Sequence, residues 1–192
     1  SSRAEAIFKR YCLDVPGDLR VTVVGDSFTA GADQDTHWAR ITAAELAKLF
    51  PEKRVVLTGV GGNESALAYG LDWATDHRGL LAPDLIIVAY GTNAALAGAS
   101  LDEFRSKYQA LISELLENTG ALVVPITPLP FLPPETRNSG SYGAIVEQIA
   151  LAGGLPLLRT SAVLGKIPGE KSLLYLDNTH LSPAGHRAVG EA

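Results

Sequence analysis

With 192 residues, 46% of them hydrophobic and 19% charged, the chain has the makeup of one folded domain, 1–192, large enough to bury roughly 70% of the surface its unfolded form exposes. Its net charge is −5 and its 16 Lys and Arg residues are scattered, so the basic footprint of a nucleic-acid binder is absent. No apolar run approaches the ~20 residues that span a bilayer, and membrane insertion is not expected.

In chain order, the first apolar run, Val21 to Val24, reads as a strand that stops in the small polar turn Gly25-Asp26-Ser27. Trp38 to Leu49 has helical periodicity. A second strand, Val55 to Leu57, leads into a glycine-rich loop from Gly59 to Ser65, and a third, Leu85 to Ala89, into a loop from Gly91 to Ser100. The clearest helix is Leu101 to Glu117, where Leu101, Phe104, Tyr108, Leu111, Ile112, Leu115 and Leu116 make one stripe and Glu103 stands four before Lys107. A fourth strand, Leu122 to Ile126, runs into the proline-heavy stretch Pro125 to Pro134, a stiff wall whose Phe131 and Leu132 are expected to offer apolar contact to a substrate. Ala144 to Leu151 is a further helix and Leu155 to Leu158 a weaker strand, and Ser182-Pro183 opens a last helix.

Strands apolar on both faces and alternating with helices predict a parallel sheet covered on both sides, an α/β/α sandwich. Ligands of such sheets bind where the strands end, and the loops after each strand gather there. One of those loops carries Ser27; far along the chain lies Asp177-Asn178-Thr179-His180. A serine hydroxyl is a poor nucleophile until a base takes its proton, and an imidazole is a reliable base only when something fixes its orientation. Ser27, His180 and Asp177 supply those three roles, and activity should rise with pH as the imidazole loses its proton.

Gly25-Asp26-Ser27, the glycines around Gly62, Gly91-Thr92-Asn93 and Asp177-x-x-His180 resemble, in order and spacing, the four sequence blocks of the SGNH hydrolases, the GDSL-type esterases and lipases. The resemblance runs from about Val21 to Ala188. It implies a three-layer α/β/α sandwich around a parallel, flavodoxin-like sheet, with Ser27 as nucleophile, His180 as base and then acid, and Asp177 orienting His180. Implied oxyanion donors are the backbone N–H groups of Ser27 and Gly62 and the Asn93 side-chain amide. Among Gly59, Gly61 and Gly62, the register Gly61-Gly62-Asn63 fits the family best. The chain departs from the pattern at Phe28, where the motif has Leu, at Ala94, where the family usually has Asp, and at Thr58, near the place that often carries Asn. Phe28 is also expected to contact the substrate.

Other polar residues read more plainly. Asp177 and His180 could also cap the last helix. His37, His77 and His186 have no local carboxylate pattern, Cys12 reads as a small apolar residue, and Gly59-Val60-Gly61-Gly62 lacks the third glycine of a dinucleotide loop. With one cysteine and four scattered histidines, neither a disulfide nor a metal site is indicated, and no cofactor is expected. The expected partner is a small-molecule ester, acylated carbohydrates included, in which a short-chain acyl or O-acetyl group is cleaved through an acyl-serine intermediate. Carbohydrate O-acyltransfer, thioester or lysophospholipid hydrolysis would use the same triad, and a non-catalytic binding module is the remaining reading.

Overall fold

A computed structural model describes residues 17–61, 67–76, 83–133 and 137–192. Gly62, Cys12 and His77 lie outside the described residues.

Four parallel strands form the sheet: β1 (Leu19–Gly25), β2 (Val55–Gly61), β3 (Leu85–Ala89) and β4 (Leu122–Pro125), in the spatial order β2-β1-β3-β4. Residue pairing is in step, with Val21 opposite both Leu57 and Leu85, and Leu85 opposite Leu122. Because side chains alternate across a strand, Val21, Val23, Leu85 and Ile87 enter one core and Val24, Ile86, Val88 and Val123 the other. The first core is closed by Trp38, Ala39 and Leu46 of α1 (Trp38–Leu49), Leu164 of α6 (Thr160–Lys166) and Val189 of α7 (Pro183–Gly190). Covering the second are α2 (Leu67–Asp76), the Phe104, Tyr108, Leu111, Ile112 and Leu115 stripe of α4 (Leu101–Thr119), and Tyr142, Ile145 and Val146 of α5 (Ser139–Ala152). The result is the three-layer sandwich around a parallel sheet.

Local chemistry sets the helix ends. Ser100 and Asn138 cap α4 and α5, and α4 stops at Gly120, whose φ of 63° is left-handed. Ser182 caps α7 with Pro183 in its first turn, so the capping role weighed for Asp177 and His180 falls to Ser182 instead.

Four expectations about elements need correction. The segment from Gly91 to Ser100 is not all loop: Thr92–Ala97 forms a short helix, α3, stopped by Gly98 at φ 64°. β2 continues through Gly61, into the stretch read as loop, and α5 begins at Ser139, five residues before Ala144. Leu155 to Leu158 is no strand but a single parallel bridge, Leu158 opposite Ile126. Leu158 donates to Pro125 O and accepts from Thr127 N, each at 3.0 Å, but the next residue that would face the ladder, Pro156, has no N–H to give.

Candidate functional site

The carboxyl ends of β1 and β3 are brought together by one buried carboxylate. Asp26, just past β1 and 1% exposed, accepts the Phe28 N–H on Oδ1 at 3.2 Å. Its Oδ2 accepts the N–H groups of Gly91 at 3.2 Å and Asn93 at 3.1 Å, beyond β3. Burial pushes the Asp26 carboxyl above its ordinary value, opposed by those backbone donors. Asp26 therefore ties the turn of Ser27 to the start of α3. Glycines make the close approach possible: a Cβ on Gly25 would come within 2.5 Å of the Ala89 carbonyl oxygen.

Gly91 is constrained by both its backbone angle and its surroundings. It holds φ 126°, and a Cβ there would sit 2.5 Å from Pro128 Cγ. Gly91→Ala is expected to lower stability by about 1–3 kcal/mol, read as a fall in the thermal midpoint, because backbone strain and overlap act together.

Ser27 is half-buried and its turn is set by hydrogen bonds from Thr29 N to Asp26 O at 2.9 Å and from Ala30 N to Ser27 O at 3.2 Å. The Ser27 hydroxyl donates to Asn93 Oδ1 at 3.4 Å, a long bond. No acceptor among the described residues takes the Ser27 backbone N–H.

The second half of the site lies between the 3-10 turn Lys171–Leu174 and α7. Tyr175 and Leu181 form an antiparallel bridge, and Leu176 N donates to His180 O at 2.8 Å, so residues 177–179 form the tip of a tight loop. Within it the His180 Nδ1–H donates to Asp177 Oδ2 at 2.7 Å. Asp177 Oδ1 accepts the Thr179 N–H at 2.6 Å, the His180 N–H at 2.7 Å and the Thr179 hydroxyl at 3.1 Å. Partial burial works to raise the Asp177 carboxyl, but the donors from His180 and Thr179 outweigh it and hold the group well below the usual carboxylate range. The pair is open to solvent, with side-chain exposures of 49% for His180 and 55% for Asp177.

Ser27 and His180 line one cleft of about 30 Å³, together with Phe28, Thr92, Leu129, Thr179, Leu181 and His186. Ser27 and an imidazole held by a carboxylate therefore share one small space. Of the expected substrate contacts, Phe28 lines this cleft. Phe131 instead lines a neighbouring groove with Arg137 and Ser139, while Leu132 packs on the core and donates its N–H to Asn178 O at 3.0 Å. The proline-heavy stretch reaches the cleft through Leu129. Among the described residues no group of three or more His, Cys, Asp or Glu side chains is placed to share a metal ion, and no helix is long and apolar enough to cross a membrane.

Sequence reasoning missed the ties made by Asp26 and the place of His186 in the cleft. Asp26 had a local signal, a carboxylate immediately before the nucleophile candidate; His186 had none.

Solved structures share this architecture across nearly the whole chain. A variant of an acetyl xylan esterase from Geobacillus stearothermophilus is 20% identical with a TM-score of 0.76, covering 92% of this chain and 93% of that one. An alpha/beta hydrolase enzyme from the metagenome of Lake Arreo, Spain, is 18% identical with a TM-score of 0.76 and the same coverage of 92% and 93%. The lipase/acylhydrolase from Enterococcus faecalis is 22% identical with a TM-score of 0.75, over 90% of this chain and 91% of that one. No curated relative matches the chain in sequence. Residues 23–188 match the GDSL-like Lipase/Acylhydrolase family, a span that holds the Ser27 turn, Asn93 and the Asp177–His180 loop, and the chain belongs to that family.

Proposed function

We propose that the protein is a cofactor-independent serine esterase that cleaves short-chain acyl esters, acetyl esters of carbohydrates foremost. The observation that carries this reading is the placing of Ser27 and His180 on one cleft, with the imidazole fixed through Nδ1 by Asp177. Since Nδ1 carries the proton shared with the carboxylate, the neutral ring has its lone pair on Nε2, the form a general base requires.

In the reaction the Ser27 hydroxyl gives up its bond to Asn93, its oxygen attacks the ester carbonyl carbon and its proton passes to His180 Nε2. The carbonyl π electrons move onto oxygen. The Ser27 N–H, which no described acceptor takes, and the Asn93 amide turned to present Nδ2 receive that charge; Gly62 N–H is the third donor implied by the family pattern. Collapse breaks the carbon–oxygen bond to the alcohol, which leaves with the proton from His180. Water then repeats the sequence on the acyl-serine, releasing the acid and free Ser27.

Two features support a small acyl group and a bulky alcohol. The cleft shared by Ser27 and His180 is small and lined by Phe28, Leu129 and Leu181, while the exposed His180 and Asp177 leave the approach open to a large polar alcohol such as a sugar. An acetyl xylan esterase among the similar structures fits that combination. p-Nitrophenyl acetate is therefore expected to be turned over at least about tenfold better in kcat/KM than the octanoate, and acetylated xylo-oligosaccharides to be deacetylated. Preference for octanoate would overturn the small-acyl reading, and no release of acetate from any ester would overturn the esterase.

The acid side of the pH profile follows from the same geometry. Asp177 stays ionised far into the acid range, because its folded-state pKa is lowered, so it drops out of the titration that limits activity. Log(kcat/KM) should fall toward acid pH with a limiting slope of about one, because Asp177 takes up no second proton in that range. A slope near two would place a second titrating group in the mechanism.

A further inference from the structure

The backbone of Phe28, the residue after Ser27, is held at both of its polar groups. Its N–H donates to Asp26 Oδ1 at 3.2 Å. Its carbonyl, in a buried setting, accepts twice: from the Trp38 indole Nε1–H at 2.6 Å and from His37 Nε2 at 3.1 Å.

What the other ring nitrogen does decides the histidine tautomer. His37 Nδ1 accepts the Ala39 backbone N–H at 3.1 Å, in the first turn of α1, so it carries no proton and the proton of the neutral ring lies on Nε2, donated to Phe28. His186, from α7, is fixed in the same way, its Nδ1 accepting the Trp38 backbone N–H at 3.2 Å. The two rings lie 4.8 Å apart, and the Phe28 ring stacks on Trp38 at 5.0 Å and on His186 at 6.4 Å.

Several effects keep both rings neutral. The N-terminus of α1 turns N–H groups and partial positive charge toward both Nδ1 atoms. His37 is 4% exposed; burial, and next the neighbouring His186, bring its pKa down to about 4, and burial lowers His186 as well. A helix cap needs only an acceptor where Nδ1 stands. The donor at Nε2, shared with an indole on one carbonyl beside Ser27, exceeds that need.

We propose that His37 and His186, with Trp38, are positioning residues for the nucleophile: two neutral imidazoles capping α1, one of which, together with the indole, clamps the Phe28 carbonyl and so fixes the turn that delivers Ser27 to the cleft. They act through Phe28 and Trp38 and are not catalytic residues. The kinetic consequences rest on the role proposed for Ser27; the tautomers do not.

The test uses His37→Asn, Trp38→Phe and the double variant, with nitrogen-15 NMR of the histidine rings of the parent. Asn keeps the acceptor that caps α1 but is too short to reach Phe28, and Phe keeps the stacked ring but loses the indole donor. Long-range spectra near neutral pH should show both His37 and His186 protonated on Nε2 only. Each single variant should lower kcat for p-nitrophenyl acetate about three- to tenfold with KM within about twofold. In the double variant, where the carbonyl has lost both donors, the loss should exceed the product of the single losses. His37→Asn should melt close to the parent.

A His37 ring protonated on Nδ1 would overturn the proposal, as would parent-like kcat in His37→Asn or a double loss no larger than the product. Should the parent hydrolyse no ester, the function proposed above falls by itself. The comparison then moves to the rate at which a fluorophosphonate labels Ser27, where the same order of variants supports the positioning role, and an equal rate in all four proteins, or no labelling, removes it.

Discussion

Ser27→Ala is expected to reduce hydrolysis of p-nitrophenyl acetate by a factor on the order of 10⁴ or more, to abolish labelling by a fluorophosphonate, and to leave the melting temperature nearly unchanged. The size of the effect follows from the step removed. Without Oγ no acyl-enzyme forms, and what survives is the ability of the N–H donors to bind an oxyanion while water attacks directly. Stability should be spared because, among the described residues, the hydroxyl makes one bond, to Asn93 at 3.4 Å, too long to contribute much. The turn itself is built from backbone atoms and from Asp26, none of which the substitution touches. Loss of activity together with a large fall in melting temperature would point to a structural serine, and retained turnover would place the nucleophile elsewhere.

How much of this was legible in the sequence depended on how local each determinant is. β1 and its polar turn are written in six or seven consecutive residues, α4 in a stripe repeated over four turns, and the Asp177–His180 pair in a spacing of three. Each survives without knowledge of the fold. α3 was hidden because six residues carry less than two turns of periodicity, although Ala94 to Ala97 followed by Gly98 has the composition of a short helix with a left-handed stop. Pro156 was the sign that Leu155 to Leu158 would not complete a ladder. Asp26 and Asn93 are 67 residues apart, and His186 and Trp38 are 148 apart; bonds of that kind leave no pattern in a window of sequence. The long-range ties made by Asp26 and His186 were therefore hidden, whereas the candidate nucleophile, base and orienting carboxylate were marked by short motifs.

The Asp177–His180 loop gives the second large effect. Asp177→Asn is nearly the same shape, yet kcat is expected to fall by about 10² to 10⁴, with KM little changed. The carboxylate has acceptors on both sides: Oδ1 takes three donors from Thr179 and His180, and Oδ2 takes the His180 ring N–H. An amide has one acceptor oxygen and one N–H₂ group, which only donates. If its oxygen keeps the backbone N–H groups of Thr179 and His180, its N–H₂ faces His180 Nδ1, which must then become the acceptor; the proton moves to Nε2 and the lone pair needed to receive the Ser27 proton is gone. If the amide turns the other way, its N–H₂ meets two backbone N–H groups and the loop opens. The first arrangement is the less costly, so the variant should stay folded with its imidazole in the wrong tautomer, a state nitrogen-15 NMR of His180 identifies directly. Asp177→Ala, which leaves the ring free to choose, should be less impaired than a fully mis-set tautomer if water can replace the lost oxygen, and 55% exposure of the Asp177 side chain allows water in. Parent-like kcat in Asp177→Asn would remove Asp177 from the proposed mechanism, because no arrangement of an amide reproduces what its two oxygens accept.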